Sequence, residues 1–379
     1  MIKKTYHSSV LFLSLLFLEG CIDPYSISVS DGTMNLLVID GFLNTSTQSV
    51  SVKLSRAQGI AVKESYPPVT QASVILEDED GHTTELTEKE KGDYDVSLTS
   101  LTVSKKYRLR IQLPDGEKYL SEYIRPLISP PLDSVSWKPH EEGITIYANA
   151  HDATNQTRYY KWQYTETWSY YARFYSFFKL VDGEPIYRTQ EENIYYCWGT
   201  EESSTILVTS TTRLGQDRVN EFPLTFVAKG SRKVSKIYSI LVEQRAIDEK
   251  AYDYWTQLQK TTENLGGLFD PMPSQVKGNF YNENNTSEPV LGYFSGGSVE
   301  QKRIYINFND LPTHLLVNEY GKQCEITEVL VEDLYKLPYD KVLLESFGQF
   351  VILGYTVSTT ECADCTSFGG TTTKPDFWP

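Results

Sequence analysis

The chain has 379 residues, a length that suits two or three domains, and its 50 acidic residues outnumber its 35 basic residues to give a formal net charge of −15. This negative charge argues against partners that present a phosphate backbone, so nucleic acid is not an expected ligand.

The first twenty residues have the order of an export signal. Two lysines precede a short apolar run at 10–18, which is too brief for the roughly 20 apolar residues of a membrane span. The run ends in Leu18-Glu19-Gly20-Cys21, the pattern of a lipobox, although Glu19 stands where a small or neutral residue is usual. We expect a lipoprotein signal peptide at 1–20, a lipid on Cys21 and a tether at 21–34. The alternative is an ordinary secretory peptide followed by a structural cysteine.

Residues 35–128 show the pattern of a first β-sandwich. Apolar and polar residues alternate, as in Val50-Ser51-Val52-Lys53-Leu54, which is typical of strands with one buried face. Asp80-Gly81 and Asp115-Gly116 are predicted hairpin tips. We predict one small sandwich of about seven strands. The acidic stretch at 77–80 could bind calcium, but it lacks a ligand loop of the right period, so a solvated turn is favoured.

A linker at Pro130-Pro131 precedes a second predicted sandwich at 129–309. Its strands are expected at 132–137, 143–148, 159–165, 206–211, 236–242, 290–294 and 303–308, with a further hairpin tip at Asp182-Gly183. One helix is predicted from Asp248, as N-cap, to Asn264, because apolar residues recur there at helical spacing. A rigid extended turn should follow at 268–273, where two prolines restrict the backbone.

Aromatic residues crowd the segment 158–178 inside this second sandwich. Alternation buries only one face of a strand, so several of the rings should lie at a surface or an interface. We therefore propose a candidate binding face, and the alternative is that an inserted loop packs over the rings. The face comprises Trp162, Tyr164, Trp168, Tyr170, Tyr171, Phe174 and Tyr175.

Four cysteines follow Cys21, and an even number in an oxidising compartment suggests two disulfides with three possible pairings. We favour bonds from Cys197 and Cys324 to one member each of the pair Cys362 and Cys365, since a bond within that pair would leave the other two alone. A four-sulfur zinc site and a thioredoxin-type redox pair are the alternatives. Residues 310–379 are expected to form a disulfide-tied extension whose tail lies against the body through Phe377 and Trp378.

No catalytic motif is present in the sequence. The histidines of the processed chain, His82, His140, His151 and His314, lie outside any recognised motif and are expected at the surface. We therefore expect no catalytic residues, no metal and no cofactor. An undetected glycosidase or peptidase is the alternative, because pairs of acidic and basic catalysts depend on geometry that a sequence does not show.

Several segments together resemble a family of Bacteroidota lipoproteins known as domain of unknown function 4249. The matching segments are Cys21-Ile22-Asp23-Pro24-Tyr25, Leu36-Leu37-Val38-Ile39-Asp40-Gly41, Cys197-Trp198, Tyr254-Trp255, Leu268-Phe269-Asp270-Pro271, Pro273-Ser274, Gly278-Asn279, Leu291-Gly292-Tyr293-Phe294, Cys362-Ala363-Asp364-Cys365, Gly369-Gly370-Thr371 and Lys374-Pro375-Asp376-Phe377-Trp378. The last three are the most specific.

The resemblance implies an outer-membrane lipoprotein, at the cell surface rather than the periplasmic face, that accompanies a TonB-dependent receptor. It would then be a non-enzymatic accessory or substrate-capture subunit, and the alternative is a stand-alone structural or adhesive lipoprotein of the cell envelope. The expected fold is mainly β, with two immunoglobulin/fibronectin-like (transthyretin-like) sandwiches, one inserted helix and the disulfide-tied C-terminal extension.

Overall fold

The computed structural model describes residues 36–57, 67–263, 276–316 and 323–379. The expected signal peptide, Cys21, the tether and the turn at 268–273 lie outside these residues. The strands are β1 (Leu37–Asn44), β2 (Ser49–Arg56), β3 (Ser73–Asp78), β4 (Thr83–Glu90), β5 (Asp93–Ser97), β6 (Tyr107–Gln112), β7 (Lys118–Ser121), β8 (Leu132–His140), β9 (Gly143–His151), β10 (Tyr159–Tyr171), β11 (Phe178–Val181), β12 (Glu184–Tyr187), β13 (Tyr196–Glu202), β14 (Leu207–Ser210), β15 (Arg218–Ala228), β16 (Ile237–Ala246), β17 (Phe280–Asn282), β18 (Leu291–Gly297), β19 (Val299–Asn307), β20 (Thr327–Leu330), β21 (Lys341–Phe347) and β22 (Gly354–Thr359).

The helices are α1 (Glu249–Glu263) and α2 (Thr360–Ala363), and 3-10 turns occur at Arg232–Val234, Phe308–Asp310, Thr313–Leu315, Val331–Lys336 and Cys365–Phe368. The fold is therefore mainly β, as expected. Within the described ranges, no helix is both long and apolar enough to cross a bilayer.

The first sheet has nine strands in the order β17-β7-β6-β3-β4-β5-β2-β1-β18. Strand β4 pairs with β3 through its first half and with β5 through its second half. The sheet therefore folds into two layers, which enclose what we call the first core. Its buried side chains come from β1 to β7 and their connections, together with Phe280, Val290 and Phe294. The hairpin tips at Asp80-Gly81 and Asp115-Gly116 join β3 to β4 and β6 to β7, as predicted.

The two edge strands of this sheet, β17 and β18, come from much later in the chain and differ from the sequence prediction. We expected 290–294 in the second sandwich, but β18 pairs in parallel with β1, from Val38 opposite Leu291 to Asn44 opposite Gly297. The Asn279 side chain joins the two edges, because it donates to the Phe294 carbonyl and accepts from the Phe294 amide, both at 2.7 Å. The segment carrying most of the second sandwich is thus inserted into the first sheet.

The second core lies between the sheet β15-β9-β8 and the sheet β13-β10-β16-β19, with β14 also paired to β10. A second sandwich was predicted at 129–309, and the structure has two sheets packed on this core, with Leu311 and Leu315 joining the core from beyond that range. Helix α1 packs near β10 and β18, where Tyr252 lies 5.0 Å from Tyr159 between ring centres and Tyr254 lies 5.3 Å from Tyr293. Asp248 caps the helix as predicted, since its Oδ1 accepts from the Ala251 amide at 2.7 Å.

The C-terminal segment forms a sheet of its own, in the order β20-β22-β21. Its small third core comprises Phe178, Leu334, Leu343, Tyr355 and Val357. The extension is therefore more than a disulfide-tied tail, because it forms a sheet with its own core. Phe178 of the aromatic segment packs in that core. The last residues lie against the second sandwich, as predicted: Trp378 is 6% exposed and the Tyr305 hydroxyl donates to the Phe377 carbonyl at 2.6 Å.

Candidate functional site

Three members of the proposed aromatic face are buried, which corrects the prediction for them. Trp162 and Tyr164 belong to the second core, and Tyr170 is 1% exposed beside Cys197 and Cys365. The reason is that β10 is paired on both sides and covered on both faces. Residues 160, 162 and 164 face the opposite sheet, while Tyr159 and Lys161 contact Tyr252 and Trp255 of α1.

The other members of that face are more accessible. Trp168 is half-buried beneath Lys233, and Tyr171 is half-buried between Tyr195 and Tyr196, with ring centres at 4.9 and 4.8 Å. Phe174 is half-buried and Tyr175 is 39% exposed. The rings of Trp162 and Tyr164 are covered by the opposite sheet, and that of Tyr170 lies beside Cys365 of the C-terminal segment, so the packing differs from the alternative of an inserted loop over the rings.

The cysteines form the favoured pattern of disulfides. Cys197 bonds Cys365, 168 residues later, and Cys324 bonds Cys362, 38 residues later. Each partner therefore reaches one member of the closely spaced pair, and all four sulfurs are used, which overturns the zinc and redox-pair alternatives. The first bond ties β13 to the 3-10 turn at 365–368, and the Tyr170 hydroxyl donates to the Cys365 carbonyl at 2.8 Å beside it.

The most prominent exposed apolar feature was missed by the sequence reasoning. Residues 348–353, which connect β21 to β22, present Phe350 at 97%, Val351 at 72%, Ile352 at 47% and Leu353 at 58% exposure. We call this connection the apolar finger. Contiguous exposed apolar residues mark contact sites in soluble proteins. The sequence does contain the run of four apolar residues, but such a run ordinarily predicts a buried strand.

The surface beside the apolar finger is also apolar and aromatic. Leu330 and Val331 are 46% and 47% exposed, and the Val331 amide donates to the Leu353 carbonyl at 3.1 Å. Tyr335 is 79% exposed on the turn that follows. The apolar finger and these neighbours form the strongest candidate for a contact surface among the described residues.

The acidic hairpin tip was weighed as a calcium site, and its geometry favours an ion pair instead. Asp78, Asp80 and His82 could converge on a cation, but the Lys105 ammonium lies 2.8 Å from Asp78 Oδ2 and 2.6 Å from Asp80 Oδ2. The hydrogen bond from Lys105 holds the pKa of Asp78 well below its usual range. The Lys105 ammonium thus occupies the position that a calcium ion would need.

Two buried carboxylates lie in the second sandwich. Asp217 accepts hydrogen bonds from the hydroxyls of Tyr160 and Thr211. Glu166, 3% exposed, accepts from Lys233 Nζ at 2.6 Å and from the Tyr238 hydroxyl at 2.8 Å. Burial, together with Asp217, raises the pKa of Tyr160 far above its ordinary value, so this phenol remains a donor. These networks satisfy buried polar groups within the second core.

The four histidines are exposed, as expected. His82 contacts Asp78 at 3.2 Å and His151 contacts Asp133 at 2.7 Å.

A groove of about 870 Å³ lies where the linker 126–131 meets the loop 151–159 and the start of α1. Its lining is mostly apolar, through residues such as Leu127, Pro131 and Ile247, and also includes the charged residues Arg158 and Glu249. Grooves of this size between packed units are common ligand sites.

Comparison with protein families gives a match over most of the chain. A family model described as "Domain of unknown function (DUF4249)" matches residues 22–303. No curated protein matches the chain. The matched range includes the first core and all of the second core except Ile306, Leu311 and Leu315. The apolar finger and three of the four disulfide cysteines follow it, so the resemblance of the C-terminal motifs to the family stays a prediction.

Proposed function

Because the chain belongs to the family of the domain of unknown function 4249, we propose that it is a non-enzymatic accessory subunit of a TonB-dependent transport system. In this proposal, lipid on Cys21 holds it in the outer membrane, facing the cell surface, and it docks on the receptor and helps to capture the transported substrate. The lipobox and the family resemblance support the location and the partner.

The observation that carries the docking proposal is the exposure of the apolar finger with its neighbours Leu330 and Val331. A monomer would leave these side chains in water, where each apolar residue is less stable than in a buried contact. A partner surface would cover them. The groove of about 870 Å³ is a suitable place for a captured ligand, because it is concave and mostly apolar.

One observation favours the alternative of a stand-alone structural or adhesive lipoprotein. Trp162, Tyr164 and Tyr170 are buried, so the main aromatic segment stabilises the fold and does not form one continuous binding face. Under this alternative, the sandwiches act as spacers and no receptor is required.

Co-purification distinguishes the two functions. The full chain, tagged at its C-terminus and expressed in its natural host, is extracted with mild detergent and its partners are identified by mass spectrometry. We expect a TonB-dependent receptor in near-equal amount, and repeated recovery of the chain without any receptor would reject the proposal. A Cys21→Ala variant should leave the membrane fraction, and retention of this variant in the membrane would contradict the lipid anchor.

A further inference from the structure

The apolar finger has a defined backbone, which is what a contact element needs. The Leu353 amide donates to the Phe347 carbonyl at 2.9 Å and closes its base. Gly348 has φ +134°, and a Cβ there would lie 2.0 Å from the Val351 carbonyl oxygen. The apolar side chains are therefore held outward by a backbone that needs glycine at this point. Such preorganisation lowers the entropy that binding must overcome.

The surface that carries the finger is strongly acidic. Residues 323–363 contain seven acidic residues against two lysines, Lys336 and Lys341, and Lys336 already pairs with Asp333 at 2.8 Å. The acidic residues are Glu325, Glu328, Glu332, Asp333, Asp340, Glu345 and Glu361. Glu328 and Glu345 lie exposed on β20 and β21, the two strands that flank β22.

The acidic charge around the finger distinguishes between three possible partners: a membrane, a second copy of the chain and another protein. A bilayer presents phosphate groups. The exposed acidic residues around the finger, which we call its acidic rim, are repelled by an anionic membrane surface. A second copy of the chain would bring an identical acidic rim against the first, which is also repulsive. A protein whose apolar pocket is bordered by lysine or arginine matches both the apolar tip and the charge around it.

We propose that the apolar finger inserts into an apolar pocket on a protein partner, and that lysine and arginine side chains of the partner border this pocket and face Glu328, Glu332 and Glu345. The inference rests on the proposed function, under which the partner is the receptor. Phe350 is the central contact, because it is almost fully exposed at the tip and aromatic residues dominate the energetics of such contacts.

The first test is a photo-crosslink in intact cells, with Phe350 replaced by p-benzoylphenylalanine in the full chain. We expect a crosslink to a protein. The crosslinked peptide should lie in a part of the partner's surface where lysine and arginine outnumber acidic residues. Crosslinks to lipid alone, to a second copy of the chain, or to an acidic surface would overturn the inference. This readout does not require that the partner be a receptor, so it is separate from the co-purification test.

The second test measures affinity for the crosslinked partner by biolayer interferometry. A Phe350→Ser variant should bind about 30-fold more weakly, as expected for a hot-spot residue. Glu328→Gln combined with Glu345→Gln should slow association and reduce its dependence on salt. The matched control is Leu214→Ser, since Leu214 is 52% exposed between β14 and β15 and outside the C-terminal sheet.

Equal affinities for Phe350→Ser and the unchanged chain would overturn the inference even if the receptor co-purifies. Flotation with phosphatidylcholine vesicles and with phosphatidylglycerol vesicles provides the membrane comparison. We expect no finger-dependent flotation of a Cys21→Ala chain, and flotation that Phe350→Ser abolishes would assign the finger to lipid and reject a protein pocket.

Discussion

Asn279 acts as a single-residue link between the two edges of the first sheet. Its amide pairs with both the N–H and the C=O of Phe294, at 2.7 Å each, in a site where Asn279 is 5% exposed. Asn279→Ala should leave both backbone groups buried without partners, at a cost of about 2–5 kcal/mol in the free energy of unfolding. Urea unfolding followed by circular dichroism measures this loss.

The control for this prediction is Asn285→Ala. Asn285 is exposed and its side chain accepts only from the nearby Ser287 amide, so little change is expected. If the two variants unfolded at the same urea concentration, the amide of Asn279 would not be closing the sheet.

Lys161 should make a contribution to the free energy of unfolding that changes measurably with pH. It lies half-buried on β10 with its ammonium 3.4 Å from the centre of the Trp255 ring. Burial lowers its pKa to about 8; Asp40 opposes this shift and Arg245 adds to it. In the unfolded chain the pKa of Lys161 is about 10.4, so between pH 8 and about pH 10.4 the unfolded state binds the proton more tightly than the folded state does. The contribution of Lys161 to the free energy of unfolding therefore rises from pH 8 to about pH 10.5.

Comparison with Lys161→Met isolates that contribution. The free energy of unfolding of the unchanged chain, minus that of the variant, should increase by about 2 kcal/mol between pH 7.5 and pH 10. Lys118→Met, at an exposed site on β7, should show a flat difference over the same range. A flat difference for Lys161→Met as well would mean that its amine titrates normally.

The two disulfides connect different elements of the fold. The Cys197–Cys365 bond joins the second sandwich to the C-terminal segment, where the Trp198 amide donates to the Thr371 carbonyl at 2.8 Å and the Thr371 amide donates to the Trp198 carbonyl at 2.9 Å. The Cys324–Cys362 bond lies within the C-terminal segment. We expect Cys197→Ser with Cys365→Ser to raise amide exchange at Trp198 and Thr371 by about tenfold or more.

The matched control is Cys324→Ser with Cys362→Ser, which removes a bond of the same kind but leaves the link to β13. Hydrogen exchange at the same two amides should then stay near its original rate. Equal acceleration in both double variants would show that the C-terminal segment detaches as one unit whichever bond is lost.

Local elements were predicted well where the governing forces are local. The tip at Asp182-Gly183 joins β11 to β12, and Asp248 starts α1, because turn and cap preferences depend on a few neighbouring residues. The finger was missed because an apolar run carries no information about whether another element covers it. The burial of Trp162 and Tyr164 was missed because alternation indicates that one face of a strand is buried but not which face, and the sheet that covers this face of β10 includes β15, which is distant in the chain.

At the scale of the whole molecule, the three cores differ greatly in size. Among the described residues, the first and second cores have nineteen buried members each and the third has five. Because stability grows with buried apolar area, the third core should open first. Hydrogen exchange at increasing urea should show residues 327–359 losing protection before β1 or β10, and simultaneous loss everywhere would indicate one cooperative unit.

Domain boundaries were the hardest feature to predict from the sequence. The pattern placed 290–294 in the second sandwich because neighbouring strands usually belong together. The parallel pairing of β18 with β1 joins residues about 250 positions apart, and no local pattern indicates such a contact. The mainly β character of the fold was predicted, since alternation and turns repeat along the chain.

The late edge strands of the first sheet also have a consequence for biogenesis. A ribosome delivers the N-terminus first, yet the border strand β17 is not available until residue 282 and the border strand β18 not until residue 297. Strands β1 to β7 therefore have both sheet edges unpaired while the intervening polypeptide is made, a state in which they can pair with other chains. The first sheet, which begins earliest in the chain, is thus completed only after most of the second sandwich has been made, and its open edges need protection until then.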